Sequence, residues 1–152
     1  MDLDAQRRGL VEAQADAVDT LVLRLQPGED LRSALEAAMA DNALGGAFVL
    51  AGVGSLSAAR LRMAGADAPL QLDGDLEILT LSGSLSANGA HLHAALARAD
   101  GSVLGGHVAP GCTVRTTVEV LLASLPQWQL SREPDARTGH AELVARRRDT
   151  GR

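Results

Sequence analysis

From Ala47 onward the chain presents one strand-length segment after another, each bounded by turn residues, and this succession limits its fold more than any other feature. The segments are Ala47 to Val53, Ala58 to Met63, Leu76 to Leu85, His91 to Ala97, Val103 to Val108, Val114 to Leu122, Gln127 to Arg132 and Ala141 to Arg146. Each is a short apolar run or an apolar–polar alternation of period two, the pattern of a buried or half-buried strand. Val114 to Leu122 has the length for a helix, but its β-branched Val114, Thr116, Thr117, Val118 and Val120 favour a strand. Ahead of this series, Thr20 to Gln26 places Leu21, Leu23 and Leu25 on one face and ends at Pro27-Gly28. Only Leu31 to Leu44 has helical spacing, with Leu31, Ala34, Leu35, Ala38 and Met39 on one side. An acidic Glu29-Asp30 start suits a helix N-terminus, and Gly45-Gly46 is the expected stop. One principal helix packed with many short strands specifies an α+β fold around a mainly antiparallel sheet.

A length of 152 residues suits one domain, and a hydrophobic content of 46% can fill its core. The boundaries read as a loose polar arm over residues 1–18, the domain over 19–146 and a basic tail over 147–152. Phe48 and Trp128 are the only aromatics, so the core is packed from Leu, Val, Ile and Ala, with few platforms for stacking bases or sugars. A net charge of -5 repels polyanions, which disfavours general nucleic-acid binding. The Arg146-Arg147-Arg148 cluster with Arg152 is the local exception, read as a solvated tail. A lone cysteine, Cys112, fits a reducing compartment. Charged residues interrupt the N-terminus from Asp2 through Asp19, and no segment has the length of a membrane span, so the expectation is a soluble, cytoplasmic protein with no membrane partner.

Three of the four histidines cluster in His91-Leu92-His93 and Gly105-Gly106-His107. On a strand, His91 and His93 share a face while Leu92 points to the core. Ala99-Asp100-Gly101-Ser102 signals a hairpin that returns the chain beside them. A two-residue Asp100-Gly101 loop would pair His107 with Ala94 and turn it to the wrong face. A three-residue loop, or a bulge at Gly105-Gly106, brings it to the His91/His93 face. Three imidazoles with an open fourth position are the pattern of a catalytic or ligand-binding zinc or similar divalent transition metal. The alternative is that they merely line a polar sheet face or a subunit interface. His140 stands apart as a surface residue.

Several segments, in order, resemble the plants-and-prokaryotes conserved (PPC) domain family over about Thr20 to Val144. They are Gly28-Glu29-Asp30-Leu31, Gly52-Val53-Gly54-Ser55-Leu56-Ser57, the run Leu76 to Ser84, His91-Leu92-His93, Asp100-Gly101, Gly105-Gly106-His107, Gly111-Cys112 and Thr117-Val118-Glu119-Val120. The resemblance implies an α+β homotrimer in which the three histidines bind a metal, zinc by expectation, near the subunit boundary. Plant relatives join the domain to an AT-hook, and family members often carry a DNA-binding label. This chain has no AT-hook, so DNA is not expected as a partner without another protein.

Glu77 and Glu119 fall within matched segments and are candidates to orient a ligand histidine or move a proton beside the metal, the alternative being outward-facing strand residues or interface ion-pair partners. Arg115 could hold an anionic ligand, a surface ion pair being the simpler role. Gly52-Val53-Gly54-Ser55 lacks the third spaced glycine of a dinucleotide loop and reads as a strand-to-strand turn with Gly54 at positive φ. Gly-x-Ser-x-Gly, the nucleophile elbow, does not occur. The leading expectation is thus a trimeric metal-binding protein that takes a small anionic ligand. A metal-dependent enzyme using the same site and a DNA-associated regulator are the alternatives.

Overall fold

The computed structural model describes residues 16–148, so the expected N-terminal arm lies almost wholly outside the described residues, as does the end of the tail. The chain is an α+β fold, with one helix among the described residues lying against a mostly antiparallel sheet. Strand β1 (Asp19–Leu25) is followed by helix α1 (Leu31–Asp41), β2 (Gly46–Arg62), β3 (Leu70–Ser86), β4 (Gly89–Arg98), β5 (Val103–Val108) and β6 (Thr113–Ser124). A last pair, β7 (Trp128–Asp135) and β8 (His140–Arg147), forms a separate two-stranded sheet. The main sheet runs β1-β6-β2-β3-β4-β5, and β5 also pairs with β2 through Leu61↔Val108 and Arg62↔His107. Strands β2 to β5 therefore meet at one end, which covers the His107-Val108 end of the edge that β5 would otherwise show. Among the described residues no helix is long and apolar enough to cross a membrane.

The strand alternation fills the interior. Ala90, Leu92, Ala94 and Leu96 of β4 and Val114, Val118, Val120 and Leu122 of β6 are buried in one cluster with Leu56, Leu61 and Leu85. Helix α1 adds Leu31, Leu35 and Met39, spaced four apart on one face. Burying each such side chain contributes about 1.5–3 kcal/mol. Asp30 caps this helix and ties it down. One carboxylate oxygen accepts from the Ser33 amide at 2.9 Å, and the other from the Gly111 and Cys112 amides at 2.7 and 3.0 Å.

Three expectations need correction. The helix ends at Asp41 and not at the glycine pair, because Ala43 itself takes the left-handed turn at φ 51° and lets the Leu44 amide reach back to the Met39 carbonyl. Gly52 to Ser55 is no turn, since β2 runs unbroken through it. Gly54, at φ 148°, sits where a Cβ would strike the Thr117 carbonyl, and register shifts on either side bend the long strand instead of ending it. Finally, Arg147 continues β8, and the basic cluster is engaged: Arg146 pairs with Glu133, Arg147 with Asp16, and Arg148 donates to Gln129.

Candidate metal centre

The hairpin β4–β5 builds the site. Its loop is Ala99-Asp100-Gly101, three residues, closed by the Gly101 amide on the Arg98 carbonyl and the Arg98 amide on the Ser102 carbonyl. Asp100 stiffens it by accepting from the Ser102 amide and hydroxyl, and Gly101 takes φ 81°. That loop length pairs His93 with His107, and the ladder between them carries no bulge. Alternation then does the rest: Leu92 and Val108 point inward, while His91, His93 and His107 share the outer face. The adjacent glycines have another use. A side chain on Gly106 would crowd the Arg62 carbonyl at 2.9 Å, so its absence lets β2 approach β5.

The three side chains offer one nitrogen each within 4.8 Å of one another. The Nε2 atoms of His91 and His93 are 3.1 Å apart, and the ring centroids lie 4.9, 5.2 and 5.7 Å from each other. Two ligands held ~2.0–2.1 Å from a tetrahedral zinc are separated by about 3.3 Å, so the observed gap is close to what one ion requires. Nδ1 of His107 is buried without a hydrogen-bond partner, a costly state that an ion or an ordered molecule would relieve. The electrostatics favour the neutral, ligating form. Burial, reinforced by His91, Arg62 and His93, pushes His107 down to about 4. His91 is lowered by burial, then by Arg132 and His93, against an opposing pull from Glu142.

An open cleft of about 410 Å³ lies over His91 and His107. Arg32 of α1, Arg62 at the end of β2 and Arg132 of β7 line it, with His140 and Glu142 of β8 at its border. Arg132 is clamped there: its amide donates to Asn88 Oδ1 at 2.7 Å, its carbonyl accepts from Asn88 Nδ2 at 2.8 Å, and its Nη2 donates to Ser84 at 2.8 Å. Ser84 stands opposite His91 in the β3–β4 ladder. The arginines come from three elements far apart in sequence, and no spacing pattern marks them.

Glu77 and Glu119 are exposed on β3 and β6, opposite Ala97 and Val53, and neither lines the cleft or hydrogen-bonds a histidine. Arg115 is in an exposed ion pair with Asp75 at 3.0 Å. Cys112 is fully buried, its thiol raised by burial and donating to the Ala109 carbonyl at 3.4 Å, so it serves the core.

The hairpin thus brings together the three histidines that the sequence singled out. A sequence model of the Plants and Prokaryotes Conserved (PCC) domain, the PPC family, matches residues 12–126. The chain belongs to that family. Among solved structures, this PPC chain is similar to a hypothetical protein from Salmonella cholerae-suis, with 41% identity, TM-score 0.85, and 89% of this chain and 98% of that one covered. A metal-containing protein from Archaeoglobus fulgidus matches at 25% identity and TM-score 0.73, covering 86% of this chain and 96% of that one. A PPC protein from Pyrococcus horikoshii, 22% identical over 87% of this chain and 96% of its own, shares the fold at TM-score 0.72. The bifunctional protein GlmU of a Synechococcus strain is 49% identical over 80% of this chain. The chain spans only 19% of the length of that curated relative.

Proposed function

We propose that this PPC domain is a metal-binding protein in which His91, His93 and His107 hold a divalent transition ion of the zinc type, leaving one coordination position toward the cleft. The observation that carries this reading is the convergence of three ring nitrogens within 4.8 Å on a hairpin whose loop length sets the register. The downward shift of His91 and His107, which favours the neutral ligating form, and the unpartnered Nδ1 of His107 support it. So does the similarity to a protein described as metal-containing. Bound there, the ion would supply a Lewis-acidic centre for an anionic or carbonyl oxygen. The protein's own groups bind and orient whatever enters the cleft. A second reading, a metal-dependent enzyme, is supported by His140 and Glu142 bordering the same cleft, since both can move a proton. A DNA-associated role has less behind it, because the chain carries a net charge of -5 and lacks an AT-hook.

The test is elemental analysis of chelator-stripped protein reconstituted with zinc. We expect about one equivalent in the wild type, with His91→Ala, His93→Ala and His107→Ala each losing most of it and remaining folded by circular dichroism. His140→Ala should keep its metal. Equal content in all five proteins removes the site.

A further inference from the structure

We propose that the cleft above the triad is a receptor for a small dianionic oxyanion, gripped by Arg32, Arg62 and Arg132. The proposal rests on the metal reading for the ligand's other end, which would face the open coordination position, but the arginine cradle stands on separate observations. Among the described residues only two non-exposed side chains carry buried polar atoms without a partner, His107 Nδ1 and Arg132 Nε, and both residues line this cleft. An unpaired buried guanidinium nitrogen is expensive, and the bidentate fork of arginine matches a carboxylate or phosphate. Fixing Arg132 by Asn88 and Ser84 orients that fork before any ligand arrives, which lowers the entropy lost on binding.

The local charge points the same way. Three guanidiniums line the cleft against one lining carboxylate, Glu142, and a second, Glu36, that pairs with Arg32 at 3.0 Å, which leaves an excess of one positive charge in a chain whose net charge is -5. Glu36 also accepts from the Ala90 amide at 3.0 Å, which ties the Arg32 pair to the β4 backbone, while among the described residues neither Arg62 nor Arg132 has an ion pair. A residual positive field beside a divalent ion selects a doubly charged ligand over a neutral one. The concave shape suits a small molecule, about the size class of ordinary ligand sites, and not a duplex backbone.

Inorganic phosphate and succinate are the probes, standing for phosphate monoesters and dicarboxylates. Binding would be followed by calorimetry on zinc-reconstituted and on chelator-stripped protein, with metal content measured in parallel. We expect saturable binding of at least one probe. Arg62→Gln and Arg132→Gln should each weaken it roughly tenfold or more while keeping the metal. Arg115→Gln, remote and already paired with Asp75, should leave it unchanged. Arg62 meets β5 through its backbone, opposite His107, and Arg62→Gln leaves that backbone in place, so this variant keeps the test sound if Arg132→Gln loosens β7. Phosphate binding alone, or succinate binding alone, supports the receptor and tells its class. Failure of both anions, or binding indifferent to Arg62 and Arg132, overturns it. Metal uptake without anion binding would leave the histidine reading standing and remove this one, whereas anion binding in protein that takes up no metal would do the reverse.

Discussion

Asp30 serves two structures with one carboxylate, capping α1 through Ser33 and pinning the Gly111-Cys112 loop to the helix start. Burial by itself would raise this acid, but the Ser33, Gly111 and Cys112 donors outweigh it and hold the group below its ordinary 3.8. The folded state therefore binds the proton less readily than the unfolded chain. Its contribution is complete at neutral pH and is lost as pH falls from 3.8 through the lower folded value. Asp30→Ala should cost about 2 kcal/mol at pH 7, the sum of a lost cap and two orphaned amides. Asp30→Asn keeps one capping oxygen and should cost less. In urea titrations the gap between wild type and Asp30→Asn should narrow in acid below the folded pKa. A gap independent of pH would contradict this account.

At the level of elements, Gly83 decides how closely β3 can lie against the histidine strand. It takes φ 146° opposite Leu92, and a Cβ there would collide with the His91 carbonyl. Gly83→Ala should cost about 2 kcal/mol or more and, by displacing the backbone between His91 and His93, should also lower metal content. Thermal unfolding and elemental analysis read the two effects; unchanged metal would show that β4 holds its shape without that contact. The same hairpin shows what could be read from the chain alone. Two-residue alternation put Leu92 inside and both flanking histidines outside, and Asp100-Gly101 announced the turn. Of the two routes that bring His107 into line, the three-residue loop is the one taken. What local patterns could not carry was long-range: β2 as a single bent strand, since a glycine that bends and a glycine that turns look alike in sequence. Nor could they show Arg32, Arg62 and Arg132 meeting, since that depends on how α1, β2 and β7 pack. Glu77 and Glu119 drew notice by their motif and lie on other parts of the surface.

For the molecule as a whole, the outer face of the main sheet is notably apolar. Leu50 is 58% exposed, Val53 52% and Leu79 50%, with Phe48 beside His91 and His93 at the rim of an adjoining hollow. Such a face is the expected cover for the proposed homotrimer. Light scattering should then give three times the 15.7 kDa chain mass, and Leu50→Asp should shift the population toward monomer. A wild-type monomer at micromolar concentration would end that proposal. The two sides of the cleft are built differently. Its floor lies in the main sheet, where β5 is paired with β4 along its length and with β2 at His107 and Val108, so His107 itself is bonded to a strand on either side. Its roof, β7–β8, pairs with no strand of the main sheet and is tied to it by a few bonds such as the Leu130 amide to Gly45 and Arg132 to Asn88. Leu130, buried against Gly46, anchors the unit from the apolar side. The rings of the floor are thus set by one ladder and the Arg132 fork of the roof by another, so a change that disturbs β7–β8 reaches the arginine while leaving the histidine register to the main sheet.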